Sequence, residues 1–168
     1  MLENKKILIT GIANKFSIAT GIAQSMSKNG AELAFAYQNE RLLKKIKPIA
    51  EDLGVKTLIE CDVACDNSIE QTFSQLKDEW GTLDGIVHSI GFAPSDQLDG
   101  DFTEVTTREG FKIAHDISSY SFTALAKGAL PILSENAALL TLTYLGSLQS
   151  LPNYNVMGLA KASLEANT

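Results

Sequence analysis

The 168-residue chain is long enough for one folded domain, and its 45% content of hydrophobic residues allows it to bury a substantial core. Its net charge of −6 argues against a surface that binds nucleic acid, because phosphate binding needs clustered Lys and Arg. From this length we expect one domain over residues 1–168. No window approaches the roughly eighteen apolar residues of a membrane span, and no secretory signal is recognised. We therefore expect the protein in the cytoplasm, without membrane attachment.

Apolar runs of strand length alternate along the chain with longer segments of helical period. The predicted elements are, in order, strand 5–10, helix 17–29, strand 31–37, helix 39–53, strand 55–61, helix 66–80, strand 83–89, helix 108–133, strand 137–143 and a helix beginning near Tyr154. Nearly continuous apolar strands separated by helices are typical of a parallel sheet with helices on both faces and right-handed crossovers. The predicted fold class is therefore α/β, a Rossmann-like doubly wound parallel sheet.

The two cysteines do not form a recognisable metal site. Cys61 and Cys65 are the only cysteines, and His88 and His115 lie far from them in sequence. This is not the spacing of a structural zinc site, so we predict reduced thiols and no metal.

A glycine-bearing turn follows the first predicted strand and leads into the first predicted helix. Gly11 would let the chain turn sharply after the strand, and the N–H groups at the start of the helix would attract a pyrophosphate. Ser17 would add a hydroxyl to that site, and Gly21 would allow close packing of the helix. The turn is a candidate dinucleotide site; the alternative is an ordinary strand-to-helix turn with Ser17 as its cap.

The residues after the second and third predicted strands bear on the identity of the dinucleotide. An acidic residue after the second strand favours NAD, whereas a basic residue favours NADP. Gln38 would hydrogen-bond the ribose without charge, while Glu40 disfavours a 2′-phosphate and Arg41 favours one, which leaves NADH and NADPH both open. After the third strand, Asp62 would accept from an adenine amino group, and Val63 would donate its backbone N–H.

The fourth predicted strand runs into the segment His88 to Pro94. There Gly91 would let the backbone pass close to a ribose and a nicotinamide. His88 is expected to pack in the core, and His115 is expected to be structural as well. Neither histidine is predicted to act as a base.

Tyr154 and Lys161 lie seven residues apart in a segment compatible with a helix. Seven residues are two helical turns, so both side chains fall on one stripe and can face a single ligand. A phenol stabilises an oxygen that gains negative charge, and a nearby cation strengthens it as a donor. The pair therefore favours reductive chemistry on a carbonyl compound.

The residues above show that the chain resembles the short-chain dehydrogenase/reductase superfamily. It resembles more closely a divergent branch, the bacterial enoyl-acyl-carrier-protein reductases of type II fatty acid synthesis. The matching segments cover essentially the whole chain and include residues 17–19, 37–39, 61–63, 88–94, 108–121 and 152–163. Ordinary members of the superfamily carry Tyr-x3-Lys, whereas this branch carries Tyr-x6-Lys and a second tyrosine ten residues earlier, here Tyr144.

The resemblance implies hydride transfer from NADH, with NADPH the less favoured cofactor, to a trans-2-enoyl thioester on acyl carrier protein. The implied catalytic residues are Tyr144, Tyr154 and Lys161. Tyr154 would stabilise the enolate, and Lys161 would hold the ribose hydroxyls. Tyr144 would line the acyl pocket opposite Ala93 and Phe92, or would instead pack on the core at a strand end. The residues implied to contact the dinucleotide are Gly11, Ser17, Ile18, Gln38, Asp62, Val63, Ile90 and Lys161.

Members of the family run to roughly 260 residues, a normal size for one α/β domain, and form homotetramers. This chain ends at Thr168, so we expect it to be truncated, to lack the last strands and the substrate loop, and to form a homo-oligomer. Two alternatives to enoyl reduction stay open. One is reduction of a β-ketoacyl carbonyl, and the other is a truncated nucleotide-binding or assembly module without catalysis.

Overall fold

The computed structural model describes residues 1–168, and the chain forms two compact units. The first unit contains residues 1–89 and 126–141, and the second contains residues 90–125 and 142–168. The single domain expected over residues 1–168 stays a prediction.

The first unit is built on a five-stranded sheet in which all neighbouring strands are parallel. Its strands are β1 (Lys6–Ile9), β2 (Glu32–Tyr37), β3 (Thr57–Glu60), β4 (Leu83–His88) and β5 (Leu133–Thr141). The first four strands are connected by α1 (Ile18–Lys28), α2 (Glu40–Asp52) and α3 (Asp66–Trp80). The strand order is β3-β2-β1-β4-β5. This arrangement confirms the predicted Rossmann-like α/β fold.

Both faces of the sheet are buried. Ile9, Phe35 and Val87 are neighbours on adjacent strands and belong to a core cluster that includes residues of α1 and α2. Leu8 and Ile86, which pair across β1 and β4, point to the opposite face and are equally buried. A parallel sheet covered on both faces leaves no polar side to its strands, which explains why the strands are nearly continuous apolar runs in the sequence.

The first three helices lie within one residue of their predicted bounds because local residues mark their ends. Asn39 caps α2, and its side-chain oxygen accepts from the N–H of Leu42 at 3.2 Å. Gly30 and Gly54 follow α1 and α2 with φ angles of +88° and +68°. Glycine adopts this left-handed conformation at little cost and therefore ends helices readily.

The second unit is mainly helical. Its helices are α4 (Phe102–Val105), α5 (Arg108–His115), the first part of α6 (Ser121–Ala129) and α7 (Asn155–Ala166). A five-residue π-helix, Asp116–Tyr120, lies between α5 and α6. Ala114 of α5 packs in one cluster with Val156 and Ala160 of α7. Small side chains at this contact let the two helices approach closely.

Two predictions of secondary structure are wrong. The single helix expected over residues 108–133 is interrupted by the π-helix and ends in a 3-10 turn at Leu130–Ile132, since Pro131 cannot continue an α-helical hydrogen-bond ladder. The fifth strand begins at Leu133, not at residue 137, and ends at Thr141. A prediction based on hydrophobicity missed the start of this strand because its first residues include polar ones such as Ser134.

Both histidines have structural surroundings, as predicted. His88 is fully buried, and its Nδ1 lies 2.8 Å from Oγ1 of Thr141. His115 stacks on the ring of Phe111, and its Nδ1 lies 3.0 Å from the Phe111 carbonyl oxygen.

No helix of the chain has the length and apolar character needed to cross a membrane. No group of three or more His, Cys, Asp or Glu side chains is arranged to hold a metal ion. Cys61 is buried, Cys65 is exposed, and both are free thiols.

Candidate active site

The strand order reverses between β1 and β4, and a turn with glycine at its first position lies at the carboxyl ends of these strands. Open parallel sheets bind ligands at such a switch point. Gly11 follows β1 with a φ of +80°. A Cβ at Gly11 would overlap the backbone carbonyl of Ser89, which follows β4. Position 11 therefore requires glycine for its backbone conformation and for its packing.

Ser17 shapes the turn between β1 and α1. Its Oγ accepts from the N–H groups of Ala13 and Asn14, both at 3.1 Å. Ser17 is the N-cap residue of α1, but its side chain does not cap the helix, so the alternative of an ordinary capping serine is wrong in this respect. Ile18, the first residue of α1, is 69% exposed. A Cβ at Gly21 would face open space, which contradicts the close packing expected there.

Gln38 and Asp62, which follow β2 and β3, lie side by side. Nε2 of Gln38 donates to Oδ1 of Asp62 at 3.4 Å. The same carboxylate oxygen accepts from the N–H of Ala64 at 3.2 Å, and the N–H of Asp62 donates to Oγ of Ser68 at 2.9 Å. Val63, next in the chain, is buried. The Asp62 carboxylate is thus fixed at the carboxyl edge of the sheet.

Lys161 is a buried cation in the second unit. Lys161 is 7% exposed. Its Nζ donates to the carbonyl of Leu142 at 2.8 Å and makes a longer contact, of 3.5 Å, with the carbonyl of Ile90. Burial lowers the pKa of Lys161, because removal from water disfavours the charged ammonium. A Cβ built at Gly91 would lie 3.5 Å from the same Nζ. The structure thus holds the ammonium of Lys161 at the backbone carbonyls of Leu142 and Ile90, and a side chain at position 91 would contact it.

Tyr154 and Tyr144 form an aromatic pair in the same unit. Their ring centroids are 5.1 Å apart and the rings meet edge to face at 66°. Tyr154 is the N-cap residue of α7, and a Cβ at Gly146 would overlap its ring. Burial and, to a lesser extent, the neighbouring Tyr144 raise the pKa of Tyr154. The phenol therefore stays protonated at neutral pH and can donate a hydrogen bond.

The second unit also contains Ala93, which packs against the cluster of Ala114, Val156 and Ala160. The sequence-predicted residues therefore divide between the two units. The first unit contains Gly11, Ser17, Ile18, Gln38, Asp62 and Val63. The second unit contains Ile90, Ala93, Tyr144, Tyr154 and Lys161.

Glu165, which the sequence did not single out, ties the Tyr144 segment to α7. It lies one helical turn after Lys161, and its Oε1 accepts from the hydroxyls of Thr143 and Ser147, each at 2.5 Å. These two hydroxyl residues flank Tyr144 in the chain. The spacing of four residues from Lys161 places Glu165 near the same face of α7 and is the only sequence signal for it.

Ser118, in the π-helix, is another residue that the sequence did not single out. Its hydroxyl bonds to both backbone polar groups of Phe92. The two residues are 26 positions apart, so no local pattern links them.

The parallel sheet of the first unit, with a glycine turn at its switch point, places the chain in the class of Rossmann-like dinucleotide-binding folds. Within this class, the family model described as enoyl-(acyl carrier protein) reductase matches residues 11–168. The chain belongs to this family.

Curated relatives and solved structures carry the same description. The chain is 60% identical over 166 residues to enoyl-acyl-carrier-protein reductase (NADH) FabI of Escherichia coli strain K12. The aligned residues cover 99% of this chain and 63% of the relative. It is similar to the crystal structure of the enoyl-acyl-carrier-protein reductase (NADH) from Aquifex aeolicus VF5, with a TM-score of 0.95, 48% identity and coverage of 98% of this chain and 66% of that one. The reductase from Anaplasma phagocytophilum in complex with NAD has a TM-score of 0.95 and 42% identity, with coverage of 99% and 63%.

The chain spans 63% of the length of the Escherichia coli relative and 64% of that of the Haemophilus influenzae enzyme, to which it is 54% identical over 167 residues.

Proposed function

We propose that this protein is an NADH-dependent enoyl-acyl-carrier-protein reductase of type II fatty acid biosynthesis. The proposal places it in the cytoplasm, makes enoyl-acyl carrier protein its substrate and makes it a homo-oligomer, with a tetramer as the family form. The observation that carries the proposal is Lys161, a buried ammonium that donates to the backbone carbonyls of Leu142 and Ile90 and lies on α7, the helix whose N-cap residue is Tyr154. The names of the relatives and the NAD complex support it.

The first unit offers residues that fit a dinucleotide. Gly11 and Ser17 shape the turn that leads into α1, and Ile18 begins that helix, whose N-terminal end favours a pyrophosphate. In this proposal Gln38 binds the adenosine ribose, while Asp62 and Val63 bind the adenine.

The choice of NADH over NADPH has a structural argument beyond the names of relatives. Oδ1 of Asp62 lies 3.4 Å from Nε2 of Gln38, so the ribose-binding amide has a carboxylate beside it. A 2′-phosphate bound by Gln38 would be repelled by this carboxylate, and Glu40 adds to the repulsion, whereas a neutral hydroxyl is tolerated.

The second unit supplies the catalytic groups of the proposal. NADH, when bound, supplies the hydride for the β-carbon of the enoyl thioester. Tyr154, protonated at neutral pH, donates a hydrogen bond to the thioester oxygen as negative charge develops there. The ammonium of Lys161 holds ribose hydroxyls and adds a positive field that favours the enolate. Tyr144 and Ala93 contact the acyl chain.

The test is oxidation of NADH, followed at 340 nm, with a short trans-2-enoyl thioester. It is run on this chain and on one extended by a family-like C-terminal segment. In the active protein Tyr154→Phe should lower turnover about a hundred-fold or more, because one preorganised donor to the developing oxyanion is lost. The affinity for NADH should not change.

Three results would count against the proposal in different ways. Unchanged turnover in Tyr154→Phe would remove Tyr154 from the mechanism. Consumption of NADH with a β-ketoacyl thioester in place of the enoyl one would support carbonyl reduction. NADH binding without turnover in either chain would support the non-catalytic nucleotide-binding module.

A further inference from the structure

Ser118 forms hydrogen bonds with both backbone polar groups of Phe92, in the loop that follows β4. Its side chain is fully buried, and Oγ accepts from the N–H of Phe92 at 2.9 Å and donates to the carbonyl of Phe92 at 2.9 Å. Sδ of Met157, at 3.6 Å, is a second neighbour for the same proton. One hydroxyl therefore satisfies both the N–H and the carbonyl of Phe92. In an antiparallel sheet a hydrogen-bonded partner residue satisfies the same two groups.

The π-helix gives Ser118 a different partner from the residue next to it. Ser119 is buried too, but its Oγ lies 2.8 Å from Oγ of Ser163 on α7 and accepts from Nδ2 of Asn167 at 2.9 Å. A π-helix is rare, widens the turn and changes the direction of the side chains within it, and such turns are frequent at functional sites. In this turn, adjacent serines bind the loop and α7 separately.

The two residues that precede Phe92 lie beside Lys161. Ile90 offers its carbonyl to Nζ at 3.5 Å, and a Cβ added at Gly91 would lie 3.5 Å from both Nζ and the Met157 methyl group, so position 91 has no room for a side chain that does not contact the lysine. The path of this short backbone segment sets which groups face the lysine. Ser118 is the side chain that holds the segment at its next residue.

We propose that Ser118 is a positioning residue, which holds the Ile90–Ala93 backbone in the path that presents Ile90 and Gly91 to Lys161 and to the nicotinamide end of the cofactor. This rests on the proposed function only for the identity of the ligand. Ser118 does not touch the reacting atoms; it acts through the backbone of Phe92.

The test compares Ser118→Ala with Ser119→Ala, a matched control with the same residue type, the same turn and similar burial. The first readout is hydrogen exchange of the Phe92 amide without ligand, measured by NMR. We expect Ser118→Ala to accelerate it at least about ten-fold by removing the acceptor of that N–H, and Ser119→Ala to leave it unchanged. Ser118→Cys, which keeps a weak donor and acceptor, should give an intermediate rate.

The second readout is NADH titration of the same variants. Ser118→Ala should weaken binding about two- to ten-fold, the range expected for a lost net hydrogen bond. It should also alter the NADH-induced shifts of the Ile90 and Gly91 amides while leaving those of Gln38 and Asp62 as in the parent. Ser119→Ala should match the parent in both respects.

The results are distinguishable. Equal Phe92 exchange in Ser118→Ala and Ser119→Ala would overturn the proposal, and so would faster exchange with parental NADH affinity and parental Ile90 and Gly91 shifts. A parent chain that does not bind NADH would instead overturn the proposed cofactor. The Phe92 exchange rates would still decide whether Ser118 holds the loop.

Discussion

Replacing Gly11 by Ala should be the most damaging single-methyl change in the turn at the switch point of the sheet. The φ of +80° costs an L-residue about 1–2 kcal/mol. The new Cβ would also overlap the carbonyl of Ser89, and relieving that overlap should cost a further ~1–3 kcal/mol as the ends of β1 and β4 move apart. The sum, about 2–5 kcal/mol, is a large part of the total stability of a typical domain, about 5–15 kcal/mol.

Two other glycines separate these contributions. Gly54 has a φ of +68°, but a Cβ there meets no atom within 4 Å, so Gly54→Ala should lose only the conformational part, about 1–2 kcal/mol. Gly21 lies in α1 with open space around it, and Gly21→Ala should be neutral or gain up to ~1 kcal/mol from helix propensity.

Urea unfolding of the four chains measures the series, and NADH titration shows whether the turn still binds. From most to least stable, the expected order is Gly21→Ala, parent, Gly54→Ala and Gly11→Ala. Gly11→Ala should also bind NADH more weakly than the parent at urea concentrations at which it is still folded. Equal losses in Gly11→Ala and Gly54→Ala would refute the packing argument. Parental NADH affinity in a folded Gly11→Ala chain would refute the role of this turn.

Two further predictions concern the second unit. The hydroxyls of Ser147 and Thr143 lower the pKa of Glu165 below its usual 4.5, so this carboxylate adds stability above about pH 4.5 that is lost as the pH falls through its folded-state pKa. Glu165→Gln should therefore melt at a lower temperature than the parent at pH 7, and its melting temperature should fall less than that of the parent when the pH is lowered. Circular dichroism measures both melting temperatures, and an equal fall in the two chains would contradict this. Gly110→Ala would place its Cβ on the side chain of Gln97 and cost about 1–3 kcal/mol. Gln97→Ala should relieve part of that cost in a double-mutant cycle by urea unfolding, whereas additive losses would show that the Cβ is accommodated.

The sheet and its first three connecting helices were predictable because their signals are local. Strands buried on both faces are apolar runs, and residues such as Asn39 and Gly54 mark helix ends in the sequence itself. The π-helix was not predicted, and the contact that its Ser118 makes with Phe92 joins residues 26 positions apart, which no helical period relates. The early start of β5 has no hydrophobic signal either: Leu133 pairs with Leu83 of β4, and a register shift separates this pair from the regular pairing that begins at Ala138.

The candidate site shows the same division between local and distant signals. Gly11 and Asp62 were singled out as candidates because they follow apolar strands, and Lys161 because of its spacing from Tyr154. The partners of Lys161 are backbone carbonyls of Leu142 and Ile90, which carry no residue-specific signal.

The central position of β1 has a consequence for how the chain folds. β1 is synthesised before the other four strands of its sheet, yet it lies between β2 and β4, and Leu8 pairs with Ala34 on one side and Ile86 on the other. Until β4 has emerged, β1 keeps one edge of unsatisfied backbone groups, and the turn at Gly11 has no Ser89 to pack against. Such distant pairing is slow, and an open central edge invites pairing between chains. Competence to bind a dinucleotide should therefore arise late in folding, and changes that delay β4 should appear first as aggregation during synthesis and only afterwards as weaker binding.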